Sequence, residues 1–284
     1  MAEATDSTIG TDANTVIAAP TTPTGEKIAR VVVPIAMLVI AVTIWQVYVV
    51  ASGTPKYILP TPIDVGATLL TDWPTLLPSL WVTLSITFQA LILALIGGVG
   101  LAIILVQSKW IELALFPFAV ILQVTPIVAI APLLLIYAPN TQTALLIVAF
   151  LVAFFPILSN MVQGLKSVDH NLLNLFDLYG AGRWQQLIHL KIPASMPYFM
   201  TGLRIGGGLS LIAAVVAEFA AGSAGAGSGL AFRLLESGYR LNMPRLYAAL
   251  ILMTFTGVAI FALTSFISWL ALHRWHESAV RREN

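Results

Sequence analysis

The sequence predicts an all-α polytopic membrane protein with six transmembrane helices. Of its 284 residues, 58% are hydrophobic and only 10% are charged, whereas soluble domains carry roughly 25% charged residues. Six apolar runs each reach the about 20 residues that a helix needs to cross a bilayer. The net charge of +1 leaves no basic surface for nucleic acid, and the absence of cysteine excludes disulfides and thiolate zinc sites.

The apolar runs predict the following six spans, in chain order: 31–52, 81–106, 111–137, 144–164, 199–221 and 246–272. The third run contains Pro117, Pro126 and Pro132. A proline inside a span removes a backbone hydrogen bond and bends the helix, which is tolerated where protein or a cavity satisfies the freed carbonyl. We therefore expect the third span to face the protein interior rather than lipid.

The distribution of Lys and Arg predicts the orientation. With the N-terminus inside, ten of the 14 basic residues lie beside cytoplasmic ends and four lie outside, as the positive-inside rule requires. Both termini are then cytoplasmic. Residues 1–29 are rich in Thr, Ala and Asp and lack the basic start and apolar core of a signal peptide, which predicts a disordered cytoplasmic tail. The membrane domain is expected over 30–273, with a second cytoplasmic tail over 274–284.

The predicted cytoplasmic loop, about 166–198, carries two amphipathic helices. The first has apolar residues at helical spacing and stops at Gly180, a residue suited to a C-terminal cap; these are Leu172, Leu175, Phe176 and Tyr179. The second has Trp184, Leu187, Ile188 and Ile192 on its apolar side and is expected to end at Pro193. Amphipathic helices of this kind either insert into a groove of a partner protein or lie on the membrane surface. Amphipathicity alone does not distinguish these two alternatives.

Four stretches carry a resemblance to a known family. They are Gly180-Ala181-Gly182-Arg183-Trp184-Gln185 with Lys191-Ile192-Pro193-Ala194-Ser195-Met196-Pro197, Ile58-Leu59-Pro60-Thr61-Pro62, Thr125-Pro126-Ile127-Val128-Ala129-Ile130-Ala131-Pro132, and Val215-Val216-Ala217-Glu218-Phe219. Together they resemble bacterial binding-protein-dependent ABC importer permeases, in particular the sulfonate, nitrate and taurine group. The first stretch resembles that family's cytoplasmic ATPase-coupling loop.

The resemblance implies a type I importer permease in the bacterial inner membrane, surrounded by lipid. Its implied partners are two cytoplasmic ABC ATPase subunits, a second permease copy in a homodimer, and an external solute-binding protein. The coupling-loop residues carried over are Asn174, Asp177, Tyr179, Gly180, Ala181, Arg183, Trp184 and Pro193. The loop departs from the family at its Glu-Ala-Ala, whose positions hold Asn174, Leu175 and Phe176, with Asp177 out of register. A second departure is Tyr137-Ala138-Pro139, which stands where the family has a Trp-Phe-Gly type turn.

The sequence contains no GxxxxGK[ST] phosphate loop. ATP is therefore expected to bind to the partner ATPase, and this chain is expected to be a transporter subunit without catalytic residues, cofactor or metal. Few charges are predicted in the pathway, which favours a small organic solute over a bare inorganic anion. The alternative is a secondary transporter or channel, although no inverted repeat is recognisable. A membrane enzyme would need clustered acidic residues or histidines, and these are sparse.

Polar residues within spans are the candidates for the pathway or its gate, because they are costly in lipid. Glu218 is the strongest: it either lines the pathway or latches an outer gate by pairing with Arg233 or Arg240, or it is satisfied by backbone or water at the helix end. Further candidates are Gln123, Thr125, Pro126, Ser159 and Asn160, which face a cavity or make interhelical hydrogen bonds. The external loop, about 222–244, is expected to hold a short helix near 231–236 that closes the outer end.

Overall fold

The computed structural model describes residues 24–222 and 227–273, with side chains from residue 32 onward except at position 128. This described part folds as eleven helices without a strand. In chain order they are α1 Thr24–Ser52, α2 Pro62–Thr71, α3 Trp73–Gln107, α4 Lys109–Val124, α5 Ile127–Tyr137, α6 Thr141–Lys166, α7 His170–Leu178, α8 Arg183–Gln186, α9 Ile192–Ala221, α10 Leu230–Tyr239 and α11 Met243–Leu272. A π-helical turn, Leu187–Lys191, joins α8 to α9. The predicted tails over 1–23 and 274–284 lie outside the described residues, and α1 begins at Thr24, within the stretch assigned to the first tail.

Five helices of the described chain are long and apolar enough to cross a membrane, and α4 with α5 makes a sixth, bent crossing. The helix axis changes direction by 103° between the two halves. The start of α4 lies beside the end of α6, because Glu112 pairs with Lys166. The end of α5 leads directly into the start of α6, at the opposite end of that helix. Since α4 and α5 therefore run between opposite ends of α6, they form one broken span, and the six predicted crossings are present.

The break lies at Thr125 and Pro126. Thr125 is extended, at φ −68° and ψ 127°, as expected for a residue that precedes proline. Of the side chains described in α4 and α5, only Ala119 and Ala131 are buried. Within the single chain this span therefore lies at the surface, and the expectation that it faces protein rather than lipid stays a prediction. The span lies at the surface because α6 occupies the central position between α3 and α9, which leaves the broken span at the edge.

Helix α6 is the centre of the bundle because glycines on its neighbours allow close approach. Gly98 of α3 and Gly206 of α9 both face Ile157, and a Cβ at either position would lie 3.0 or 2.9 Å from that side chain. Gly164 of α6 faces α9 in the same way, with Ser195 and Tyr198 only 2.9 and 2.8 Å from a Cβ built there. Small residues at such contacts are typical of helix packing in membranes.

The two ends of the bundle differ in structure. At one end, here named the α10 end, α2 and α10 lie against the starts of α3 and α11, where Val65, Leu76, Leu230 and Ala248 form a buried cluster. Arg245 donates to Asp72 there and ties α11 to the turn between α2 and α3. At the other end, here named the α7 end, α7 and α8 follow the end of α6. The short helix expected near 231–236 is thus present as α10.

The prediction that Pro193 ends the second loop helix is wrong. The helix continues through it, so that residues from Arg183 to Ala221 form one helix of 39 residues. Proline lacks the N–H that an α-helix needs at that position. Immediately before Pro193 the backbone widens into the π-helical turn, where Ile192 donates to the carbonyl of Leu187. The helix therefore continues although Pro193 has no N–H to donate.

Candidate functional site

A polar pocket lies at the α10 end, between α3, the start of α6 and the segment that precedes α10. Its volume is about 550 Å³, within the range of sites for small molecules. None of the described residues that line it carries a formal charge. The polar lining residues include Ser85, Gln89, Asn140, Thr141, Gln142 and Ser228, and Trp81 stands beside them. The pocket therefore offers hydrogen-bonding groups and one aromatic ring without a fixed charge.

Helix α3 presents one stripe of residues to this pocket. Trp81, Ser85 and Gln89 are spaced four apart and so lie on one face of the helix. Gln89 lies eight residues, or about 12 Å, further along the helix than Trp81. Its side chain is exposed in the single chain and makes no hydrogen bond to another described residue. Because an unpaired amide at this depth is costly in lipid, the stripe marks a face that meets water or another protein surface.

A buried carboxylate joins three helices next to the pocket. Glu218, near the end of α9, is 3% exposed. Thr83 of α3 donates from its hydroxyl to Glu218 Oε1 at 2.8 Å, and the backbone N–H of Ala231 donates to Oε2 at 2.9 Å. The N–H of Leu230 donates to the same Thr83 hydroxyl at 2.8 Å. Glu218 and Thr83 thus cap the start of α10 from two other helices; we name this arrangement the Glu218 bracket.

The predicted pairing of Glu218 with Arg233 or Arg240 is wrong. Arg233 donates to Ser79 of α3 at 3.0 Å and pairs with Glu236 at 2.9 Å. Arg240 also pairs with Glu236, at 3.0 Å. Glu218 instead accepts from the backbone N–H of Ala231 at the start of α10, where the helix dipole favours a negative charge. Gly229 is required beside it, because a Cβ there would lie 2.0 Å from Glu218 Oε1.

At the α7 end, the loop forms a rigid turn that projects from the bundle. Helix α7 ends at Leu178, and Gly180 takes the left-handed conformation at φ +69°. Its N–H donates to the carbonyl of Asp177, and that of Ala181 donates to Phe176, which is the Schellman pattern. The Asp177 carboxylate then accepts from Gln186 at 2.6 Å. The angle between α7 and α8 is therefore fixed by both backbone and side-chain bonds.

The apolar side of α7 is only partly covered within the described chain. None of the nine residues of α7 is buried, and Leu178 and Tyr179 are 83% and 84% exposed. A groove of about 450 Å³ runs between the two loop helices, lined by Leu175, Phe176, Tyr179, Ala181, Gln185 and His189. The other predicted coupling residues also lie on the surface of this loop: Asn174, Arg183, Trp184 and Pro193 are exposed.

The remaining pathway candidates lie near the break in the third span, away from the Glu218 bracket. Gln123 lines a small cavity of about 170 Å³ together with Pro156 of α6. The Thr125 hydroxyl donates to the carbonyl of Ile121, and Pro126 is exposed at the start of α5. Ser159 is half-buried. The Asn160 amide donates to the carbonyl of Pro156 in its own helix at 2.8 Å, rather than to another helix.

Several residues of the site were not predicted from the sequence. Sequence reasoning did not single out Trp81, Thr83, Ser85, Gln89 or Gln142. The available signal was the spacing: the apolar run from 81 to 106 has its polar residues at 83, 85, 87 and 89, which gives two stripes with a spacing of four. Thr83 and Thr87 are buried in the bundle, and Ser85 and Gln89 line the pocket.

The family model and the individual relatives that match this chain all describe membrane components of transport systems. The family described as binding-protein-dependent transport system inner membrane component matches residues 94–282. A riboflavin transport system permease protein of Chloroflexus aurantiacus is 32% identical, with 85% of this chain and 89% of that protein covered. A formylaminopyrimidine transport permease protein of Halalkalibacterium halodurans is 30% identical, at 81% and 90% coverage. A nitrate import permease protein of Synechocystis is 27% identical, at 86% and 88% coverage.

The match covers the last part of α3, the four crossings that follow it, the projecting loop, and both Glu218 and the start of α10; Thr83 lies before it. The expected resemblance is therefore confirmed, and the secondary-transporter alternative has no support. The apolar crossings of this chain agree with a multi-pass protein of the bacterial inner membrane. The chain belongs to the inner-membrane permease components of binding-protein-dependent ABC transport systems.

Proposed function

We propose that this chain forms the solute pathway of an ATP-driven importer and receives the movement of a separate ATPase through α7 and α8. ATP binds to the partner ATPase subunit, and the chain needs no cofactor of its own. Two permease copies and two ATPase subunits make the complex, and a solute-binding protein delivers solute from outside. The observation that carries the proposal is the rigid, projecting α7–α8 turn, whose apolar side is left partly exposed by the described chain.

The α7 end is cytoplasmic in this proposal. Basic residues are concentrated there, among them Lys166, Arg183 and Lys191, and cytoplasmic ends carry the excess of Lys and Arg. The α10 end then faces outward, where it meets the binding protein. The polar pocket consequently lies at the outer end of the pathway, and α7 and α8 lie within reach of a cytoplasmic subunit.

One continuous helix connects these two ends. The helix from Arg183 to Ala221 starts beside the projecting turn and carries Glu218 three residues before its end. Because a helix transmits displacement along its axis through its backbone hydrogen bonds, movement of α8 shifts the Glu218 bracket and the start of α10. Closure of the ATPase dimer can thereby open or close the outer end, as alternating access requires.

The solute of the proposed importer is a small organic molecule. The pocket carries no formal charge among its described lining residues, so a bare anion finds no cation there. Two of the relatives described above are named for transport of riboflavin and formylaminopyrimidine, which are organic solutes. The binding protein makes the first selection among such solutes, before the permease receives them.

Two variants of one turn test the coupling. Valine at position 180 must adopt φ +69°, which is strongly disfavoured for a β-branched residue, whereas Gly182 lies at φ −66° with ample space for a Cβ. We expect Gly180→Val to lower ATPase co-purification about tenfold, the equivalent of about 1.4 kcal/mol. Gly182→Val should retain the ATPase.

Both variants must first elute as the same monodisperse species in detergent, so that a general loss of folding is excluded. Solute-dependent ATP hydrolysis of the purified complex is then measured. Equal ATPase capture and equal hydrolysis by the two variants would contradict coupling through this turn. Absence of any ATPase from the unaltered chain, under conditions that preserve its oligomer, would contradict the importer proposal itself.

A further inference from the structure

We propose that the pocket between α3 and α6 is a second, selective solute site within the permease, specific for an uncharged, planar organic molecule with hydrogen-bonding groups. This inference rests on the proposed function, since it assigns the site to the outward-facing part of the pathway. It adds selection by this chain to the selection made by the binding protein. Three observations carry it: the depth of Gln89, the chemistry of the lining, and the contact with the segment before α10.

The depth of Gln89 argues for an aqueous cavity at this position. A glutamine that makes no hydrogen bond within the described chain, about 12 Å along the helix from Trp81, is expensive if lipid covers it. The pocket relieves this cost, because its volume of about 550 Å³ accommodates several waters or one small solute. Gln142, on the first turn of α6, faces the same space and makes no hydrogen bond to another described residue either.

The lining favours one chemical class of solute. Each glutamine amide offers both a donor and an acceptor, which suits a molecule with alternating carbonyl and N–H groups. Trp81 is exposed at the pocket and provides a flat apolar face on which a planar ring stacks. Since the described lining contains no charged side chain, an anion would lose its hydration without gaining a counter-charge.

Solute in this pocket also contacts the segment that leads into α10. Ser228 lines the pocket and directly precedes Gly229, whose Cα lies against the Glu218 carboxylate. The same short segment therefore contacts the solute on one side and the Glu218 bracket on the other. An occupied pocket thus biases the position of the start of α10, so that selection of solute and movement of the outer end are linked.

The cysteine-free sequence allows a direct test with single-cysteine variants of the full chain in its assembled transporter. Gln89→Cys places a thiol in the pocket. Ile44→Cys is the matched control, because Ile44 is 63% exposed on the apolar helix α1 and lies eight residues before its end at Ser52. A water-soluble, membrane-impermeant thiol reagent is added to intact cells. Thiol modification requires the thiolate, so the variant in the aqueous pocket should react at least about tenfold faster than the control in lipid.

Protection experiments then test the solute class. The probes are uracil and cytosine as uncharged planar solutes, with nitrate and ethanesulfonate as anions. A probe at about ten times its Kd leaves about one site in ten free, so modification of Gln89→Cys should slow about tenfold with uracil or cytosine. Neither anion should slow it.

The outcomes separate this inference from the proposed function. Reaction of Gln89→Cys no faster than Ile44→Cys from either side of the membrane overturns the aqueous pocket. Protection by the anions alone, or by none of the four probes, overturns the assigned solute class. Reaction from the cytoplasmic side only, in inverted vesicles, overturns the orientation and with it the proposed function.

Discussion

Alanine at position 229 should release the start of α10 from the Glu218 bracket. A Cβ at this position would lie 2.0 Å from Glu218 Oε1 and 2.2 Å from its carboxyl carbon. The carboxylate must retreat by about 1.4 Å to reach an ordinary contact distance of 3.4 Å. At least one of its two hydrogen bonds, to Thr83 or to Ala231, is then lost. A hydrogen bond contributes about 0.5–3 kcal/mol, with the upper half of this range reached for a charged partner.

Hydrogen exchange at the start of α10 measures this loss locally. The free energy of local opening determines the exchange rate of a protected amide. A decrease of about 0.5–3 kcal/mol corresponds to exchange that is about 2- to 150-fold faster. We expect this acceleration for the peptide that contains Leu230 and Ala231, measured by mass spectrometry on the purified chain.

Two comparisons isolate the contact with the carboxylate. Gly227→Ala makes the same chemical change two residues away, where no described atom lies within 4 Å of the new Cβ, and should leave exchange at α10 unchanged. In a Glu218→Ala background, Gly229→Ala should have little further effect, because the clashing group is gone. Equal exchange in Gly229→Ala and Gly227→Ala, or fully additive effects in the double variant, would show that the Glu218 carboxylate does not hold the start of α10.

Three further predictions concern other parts of the bundle. Gly164→Ala should destabilise the chain in detergent by about 1–3 kcal/mol, since its Cβ meets the backbone of α9; Gly100→Ala, with open space around it, should not lower the melting temperature. Arg233→Met should accelerate exchange in α10 because this half-buried side chain ties α10 to α3. Arg240→Met, which removes a 70% exposed side chain, should not. A hydrogen bond from Lys56, and then one from Thr61, hold the pKa of Asp64 below its ordinary value of 3.8. The stabilising contribution of Asp64 is therefore present above about pH 3.8 and lost as the pH falls through the lower folded-state pKa, so Asp64→Asn should flatten this part of the acid dependence of exchange at the start of α2.

The six crossings could be predicted because their signal is local. Each apolar run is long enough by itself, and Gly180 marks a helix end through its own conformational freedom. What the sequence could not show is which helix occupies the centre. Ile157 packs against both Gly98 and Gly206, and these residues belong to three segments that are far apart in the sequence. This packing places α6 at the centre and leaves the proline-rich third span at the edge of the single chain.

The errors at the candidate site have the same physical origin. The sequence left Glu218 either paired with a cation or satisfied by backbone or water at the helix end; its donors are a threonine 135 positions earlier and a backbone N–H, and sequence spacing identifies neither of them. Pro193 was expected to end its helix, because the rule for proline takes no account of a π-helical turn before it. The Trp81, Ser85 and Gln89 stripe was visible as a spacing of four, yet only the position of α6 turns that stripe into one wall of a pocket.

The most direct test of the coupling claim is a cross-link from the projecting turn to the ATPase. Tyr179→Cys places the only thiol of this chain on the exposed end of α7, and Trp110→Cys provides a control that is equally exposed, at 82%, at the start of α4. The transporter is assembled with its co-expressed ATPase subunit and treated with a short thiol-to-amine cross-linker. If the projecting turn contacts the ATPase, Tyr179→Cys gives a product of this chain with the ATPase and Trp110→Cys gives none. A product from Trp110→Cys alone, or no product from Tyr179→Cys in a complex that still contains the ATPase, would contradict this contact.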